Sequence, residues 1–356
     1  MKFVDLGFEN LESSKDSHDR FLSIERSGKY LMSQNVEELE KVFSADQNSK
    51  NCVLVKNATD ALAMVFMHLN AKNRTIIVPQ FGAYPTVMAA LQSGAKEIIA
   101  CAVNDSLTMD INSVDIPRGS IIVPVNLYGN HCNMKEIKDA SRSAGDCTIV
   151  EDCAQSTGIQ SSFLSDYMIH SFYPTKPMGC RGDGGAILTN DDESSKLLRM
   201  SRFYGLNSEG SIETWGVNSR IDEWQSSFLI SKVKHYRSLN ETRKKNAASY
   251  AKNAGNSNIA YSKDCVYHQY VELYENRDAV RSIFDDLKIP TMIHYPKMLV
   301  DMPYLKDKVK FAKCKRVSDH VLSLPVGPHL SKNDIDRVIE AMVTVSNRRI
   351  SFEEIM

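Results

Sequence analysis

Five short runs rich in Ile, Val and Leu recur between residues 52 and 158, each ending in a polar turn. "CVLVKNATDALAMVFMHLNA" and "TIIVPQFGAYPTVMAALQSGA" pass from such a run through a turn into a helical stretch, the second with Ile76–Val78 as strand and about 86–93 as helix. "EIIACAV", "SIIVPVNLYG" and "CTIVEDCAQSTG" supply three more runs. Continuous apolar strands with helices between them predict an α/β fold: a mainly parallel central sheet covered by helices on both faces. Ligands on such sheets gather at the carboxyl ends of the strands. Thr59, Asp60, Asn126, Asp152, Gln155 and Lys176 all fall at or just past such ends.

The texture changes near Ile221. "DEWQSSFLISKVKHYRSLNETRKKNAASYAKN" predicts a long helix, with a possible break, and "VYHQYVELY" a strand. Two further helices are expected over "NRDAVRSIFDDLKI" and "SKNDIDRVIEAMVTVSNRRI", which makes this part a smaller α+β lobe. The expected division is a large domain over 1–240, with its N-terminal segment, and a small C-terminal domain over 241–356. A chain of 356 residues with 42% hydrophobic content can bury two such cores. Net charge is −1 and no basic run is dense enough to track nucleic acid. No apolar stretch approaches the ~18 residues a membrane span needs. The first 20 residues lack the apolar core of a signal peptide, and the eight cysteines are scattered without a CxxC pair. A cytoplasmic protein with reduced thiols is expected.

The chemistry concentrates in two segments. Asp152 ends the apolar run "CTIVED", where a carboxylate is costly without a cationic or hydrogen-bonding partner. After the next such run comes Lys176, in "SFYPTKPMGCRGDGGAILTN", between Thr175 and Pro177. Taken alone, Asp152 is as well explained as a turn or helix cap, and Lys176 as a solvated loop lysine. Together they suggest pyridoxal phosphate: a lysine for the Schiff base and an acid to keep the pyridine nitrogen protonated. "NATDAL" places Thr59 and Asp60 at a helix start, where free amides and the helix dipole favour phosphate. Phe81 or Tyr84, beyond "TIIVP", can supply a flat face for the ring.

These segments, with "VNLYG", "WGVNSRIDEWQSS" and the ends "GKYLMSQNVEELE" and "LPVGPHLSKNDIDRVI", resemble the DegT/DnrJ/EryC1/StrS family of pyridoxal-phosphate-dependent sugar aminotransferases. The resemblance implies a fold-type-I architecture. It implies that Lys176 forms the Schiff base, that Asp152 pairs with the pyridinium and that Gln155 bonds the ring hydroxyl O3′. Thr59, the amide of Asp60 and Ser171 then correspond to the phosphate site, and Phe81 to the stacking aromatic. Asn218, in "GVNSR", corresponds to a residue that reaches the neighbouring subunit's cofactor phosphate, which implies a homodimer with shared sites. Tyr84, Arg220, His294 and Tyr295 become the substrate-facing candidates.

The chain departs from the family pattern at Ala58, where glycine is usual, at Pro177 for asparagine, and at Lys297–Val300, in the substrate-facing part of the small lobe. The intact Lys176 argues against the dehydratase branch, where histidine replaces it. "GDGG" (Gly182–Gly185) fits a turn between strands, since no helix follows. His131 and Cys132 lack partners at metal-ligand spacing, so no metal site is expected. Cys153 and Cys180 flank the site without marking a desulfurase, and Trp215 and Trp224 suit packing or a dimer interface. The implied reaction moves an amino group from an amino acid, L-glutamate foremost, through the pyridoxamine phosphate form to a keto-sugar. "GVNSRIDEWQ" leans toward a dTDP-linked 3-keto-6-deoxyhexose, in amino-sugar or polysaccharide biosynthesis. A 4-keto nucleotide sugar and a keto derivative of an octulosonic acid are the rival acceptors. A binding or regulatory protein of the same fold is the rival of another class.

Overall fold

The computed structural model describes residues 1–145, 147–159 and 163–355. In chain order its strands are β1 (Asn51–Val55), β2 (Thr75–Pro79), β3 (Glu97–Cys101), β4 (Ile121–Ile122), β5 (Thr148–Asp152), β6 (Tyr167–Ser171), β7 (Gly185–Thr189), β8 (Tyr270–Leu273), β9 (Lys310–Phe311) and β10 (Val321–Leu324). Eight form one sheet in the order β1-β7-β6-β5-β4-β2-β3-β9. From β6 to β9 every neighbouring pair is parallel, and β7 runs antiparallel to both β6 and β1. The carboxyl ends of β1, β2, β4, β5 and β6 therefore share one edge, together with the first residue of β7.

The helices are α1 (Leu6–Asp16), α2 (His18–Ser27), α3 (Gln34–Asp46), α4 (Ala58–His68), α5 (Tyr84–Gln92), α6 (Met134–Ser143), α7 (Asp192–Ser201), α8 (Glu223–Val233), α9 (Tyr236–Ala254), α10 (Arg277–Asp286) and α11 (Lys332–Thr344). Strand alternation decides which of them each side chain meets. Val53 and Val55 pack with Leu62, Val65 and Phe66 of α4, whereas Cys52 and Leu54 pack with Leu39 and Phe43 of α3. Burying each such aliphatic side chain contributes about 1.5–3 kcal/mol. Helix α3, expected on the surface, is amphipathic: Val36, Leu39 and Phe43 are buried and its charged residues face out, except Glu40 and Asp46. The long helix expected after Ile221 breaks into α8 and α9 at Lys234 and His235.

The second sheet pairs β8 with β10, antiparallel, and packs Tyr270, Leu322 and Leu324 against Tyr250, Phe284, Val338 and Met342 of α9, α10 and α11. Helix α9 joins the two cores: Tyr236 packs beside Phe228 in the first, Tyr250 and Ala254 in the second. The expected boundary at residue 240 thus lies inside this helix. Past it, Leu299, Leu305 and Val309 return to the large core, and β9 adds to the main sheet beside β3. Among the described residues, no helix is long and apolar enough to cross a membrane. Seven of the eight cysteines are buried, and Cys314 is partly exposed.

Candidate active site

Helix α4 starts two residues after β1, and Asn57 caps it, its side chain accepting from the Asp60 amide at 2.8 Å. Asn57 is thus the cap, and neither Thr59 nor Asp60 takes that role. Asp60 instead accepts from the Ser219 hydroxyl (2.7 Å), which itself accepts from the Lys56 amide (3.1 Å). Among the described residues, the amides of Ala58 and Thr59 have no acceptor, so two first-turn donors remain for an anion. Gly185 brings the start of β7 onto this turn: a Cβ there would lie 2.5 Å from the Asn57 carbonyl carbon and 2.8 Å from the Ala58 nitrogen. Ser171 pairs with Gly185 across the β6–β7 ladder. Strand register thus places Ser171 beside the α4 N-terminus, 112 residues away in the chain from Thr59.

Asp152 closes β5 and is 4% exposed. Its carboxylate accepts from Thr86 Oγ1 (2.8 Å) and from the Ala154 amide (3.1 Å). Burial pushes its pKa up, against these two bonds and the positive charge of Lys176. No cation lies in ion-pair contact with it among the described residues. Lys176 sits in the turn after β6, its amide donating to the Tyr173 carbonyl at 2.8 Å. The residue is half-buried, and desolvation of its ammonium end lowers its pKa to about 8, with Asp152 opposing. A neutral amine is thus within reach near neutral pH beside a buried carboxylate.

Gln155, 3% exposed, is held at both ends of its amide. The Tyr128 amide donates to its Oε1 and its Nε2 donates to the Tyr295 hydroxyl, each at 2.8 Å. Tyr295 lies in an aromatic cage, with ring centroids 6.1 Å from Phe81, 5.9 Å from Tyr84 and 6.1 Å from Tyr128. His294 bonds Ser323 through Nδ1 (2.8 Å), and its carbonyl accepts from the Tyr128 hydroxyl (2.9 Å). Burial and the Lys176 charge lower the His294 pKa to about 4. The fold thus gathers Thr59, Asp60, Phe81, Tyr84, Asp152, Gln155, Ser171, Lys176, His294 and Tyr295 around one sheet edge. Asn218 stands apart: it is exposed, and its side chain accepts from Arg220 Nε at 2.9 Å. Arg220 lies over the Phe203 ring at 4.5 Å.

The sequence profile of the DegT/DnrJ/EryC1/StrS aminotransferase family matches residues 12–343. The chain belongs to this family. It is 32% identical to a dTDP-3-amino-3,4,6-trideoxy-alpha-D-glucose transaminase of Streptomyces venezuelae, covering 96% of this chain and 94% of that one. It is 31% identical to a UDP-2-acetamido-2-deoxy-3-oxo-D-glucuronate aminotransferase of Pseudomonas aeruginosa, covering 96% and 99%. The crystal structure of S. venezuelae DesV in complex with a ketimine intermediate superposes with a TM-score of 0.89 at 29% identity, over 98% of this chain and 99% of that chain.

As a DegT/DnrJ/EryC1/StrS aminotransferase the protein uses pyridoxal 5′-phosphate, and its fold is type I. The site suits that group. A buried carboxylate without an ion-pair partner matches a pyridinium N–H, and two free amides at a helix start match a phosphate. At the two departures from the family pattern, the Ala58 amide has no acceptor among the described residues, and Pro177 has no amide to donate. Thr86, Tyr128, Ser219 and His268 were not singled out from the sequence. Thr86 and Tyr128 act on Asp152 and Gln155 across 66 and 27 residues. His268 is half-buried near Lys176, and burial lowers its pKa well below the usual value. Only the Asn before the helical run "ATDALAMVF" carried a local signal, as a cap.

Proposed function

We propose that this chain transfers an amino group from L-glutamate to a keto-sugar carried on a nucleoside diphosphate, with Lys176 and Asp152 as its catalytic residues. The observation that carries the reading is the half-buried Lys176, its pKa lowered to about 8 close to a buried, unpaired Asp152. When bound, pyridoxal phosphate supplies a carbonyl for the Lys176 amine and a protonated ring that withdraws electrons. Asp152 holds the ring nitrogen's proton, with Thr86 and the Ala154 amide fixing its carboxylate. Gln155 faces the ring hydroxyl, Phe81 the ring face, and Thr59, Ser171 and the first α4 amides the phosphate. Once displaced by the donor's amine, Lys176 Nζ would be free to take the proton from the donor α-carbon and hold it for return within the site. With the keto-sugar it carries a proton the opposite way, so one group serves as base and then acid.

Residues 1–240 form the cofactor-holding unit in this reading, and 241–356 bring His294 and Tyr295 over it. Tyr84, Arg220, His294 and Tyr295 then line the acceptor side. The exposed Asn218 serves the phosphate of a second copy of the chain, so the working form is a homodimer with shared sites. The exposure of Asn218 supports this, since a side chain that serves another copy must be reachable from outside its own chain. Both relatives above are named for amination at C3 of a nucleotide sugar, which favours a 3-keto acceptor. The test is to add pyridoxal phosphate to cofactor-free protein, then glutamate, then a panel of keto-sugars. Visible absorbance that borohydride bleaches should appear, fade with glutamate and return with the right acceptor. The same bleachable absorbance in Lys176→Ala would remove Lys176 from its role.

A further inference from the structure

Tyr295 is expected to face the sugar, yet among the described residues its hydroxyl bonds only Gln155. A primary amide carries two N–H donors and one oxygen, and its two ends are interchangeable by rotation unless something distinguishes them. Here the Tyr128 amide can only donate, so it selects Gln155 Oε1. Nε2 must then face Tyr295, whose hydroxyl takes one of its hydrogens and leaves the other without an acceptor among the described residues. Both tyrosines have left-handed backbone, φ +61° at Tyr128 and +68° at Tyr295, a conformation costly for bulky side chains and concentrated at functional sites. The Tyr128 hydroxyl also holds the His294 carbonyl (2.9 Å), and the Tyr128 carbonyl accepts from Gln269 (3.2 Å). The small lobe is therefore fastened on both sides of Gln155.

We infer that Tyr128 and Tyr295 together lock the Gln155 amide so that its second Nε2 hydrogen is presented to the cofactor's ring oxygen, making Tyr295 a positioning residue for the cofactor. This rests on the reading of Gln155 as the partner of that oxygen. Because Tyr295 belongs to the small lobe, the ring oxygen is properly held only when that lobe is docked.

The experiment compares wild type with Tyr295→Phe, which keeps the ring in its cage and removes only the hydroxyl. Loss of the anchor loosens the Nε2 donor, so the anionic ring oxygen is less stabilised. The pH midpoint of the visible absorbance change should rise by about 0.5–1 unit, and the pyridoxal phosphate Kd should weaken about 3- to 10-fold, the range of one hydrogen bond. Tyr304→Phe, at an exposed tyrosine outside the site, should leave both quantities in place. An unchanged midpoint and Kd in Tyr295→Phe, with only the keto-sugar KM raised, would overturn the inference and return Tyr295 to the substrate side. Should Tyr295→Phe not fold, Tyr128→Phe releases the His294 carbonyl beside it and is expected to raise the midpoint by a smaller amount; no rise there would also overturn it. If wild type shows no bleachable absorbance, the proposed function itself fails, a distinct outcome.

Discussion

Replacing Asp152 by Asn should make the cofactor-free protein more stable and the enzyme far slower. The carboxylate is buried at the end of β5 without an ion-pair partner among the described residues, and burial raises its pKa above the ordinary aspartate value of about 3.8. A raised acid pKa means that folding opposes ionisation. The penalty is present at neutral pH, sets in as pH rises from 3.8 through the folded pKa, and vanishes below 3.8. Asn has the same shape and no charge. It can still accept from the Ala154 amide, and the Thr86 hydroxyl can turn to accept from its Nδ2. The expected result is a higher Tm at pH 7, a gain that disappears as pH falls toward 3.8. With cofactor bound the sign reverses, because an amide does not keep the pyridine nitrogen protonated. A charge-assisted hydrogen bond contributes about 1.5–3 kcal/mol, so the glutamate half-reaction should slow by roughly 10- to 150-fold. Thermal unfolding of cofactor-free protein at pH 7 and pH 4, with single-turnover absorbance on loaded enzyme, measures both. A mutant equally destabilised at both pH values, or one with a near-normal half-reaction, would refute the reasoning.

Three further outcomes are expected. Capture of pyridoxal phosphate should accelerate as pH rises through about 8, where Lys176 loses its proton, and stopped-flow absorbance should trace a single step there. Gly185→Ala drives a Cβ into the Asn57–Ala58 backbone, so it should cost about 1–3 kcal/mol and weaken phosphate binding, read by Tm and by pyridoxal phosphate titration. Mixing Asn218→Ala with Lys176→Ala subunits should restore activity, because a shared-site mixed dimer has one site with both defects and one with neither. No restoration, with subunit exchange confirmed, would rule out the shared site.

Much of this protein follows from local sequence. The strand–helix alternation needs only short-range apolar patterning, and α3, α4, α6 and α11 each begin where a polar cap precedes an apolar period. Lys176 and Asp152 stood out because a charged residue at the end of a buried run demands a reason.

Other features were decided only by tertiary structure. Ser171 meets the α4 N-terminus through the β6–β7 and β1–β7 registers, a relation between strands that no window of sequence contains. Asp152 owes its fixed carboxylate to Thr86, and Gln155 owes its amide orientation to Tyr128 and Tyr295, across 66, 27 and 140 residues. Helix α9 crosses the expected boundary, and 299–311 return to the large core, because apolar burial is non-directional and takes the surface that topology brings near. Local patterning specifies periodicity and caps, which depend on a few neighbouring residues. Hydrogen-bond partners and pKa shifts depend on which groups share a desolvated volume, and that volume exists only once the chain has closed around it.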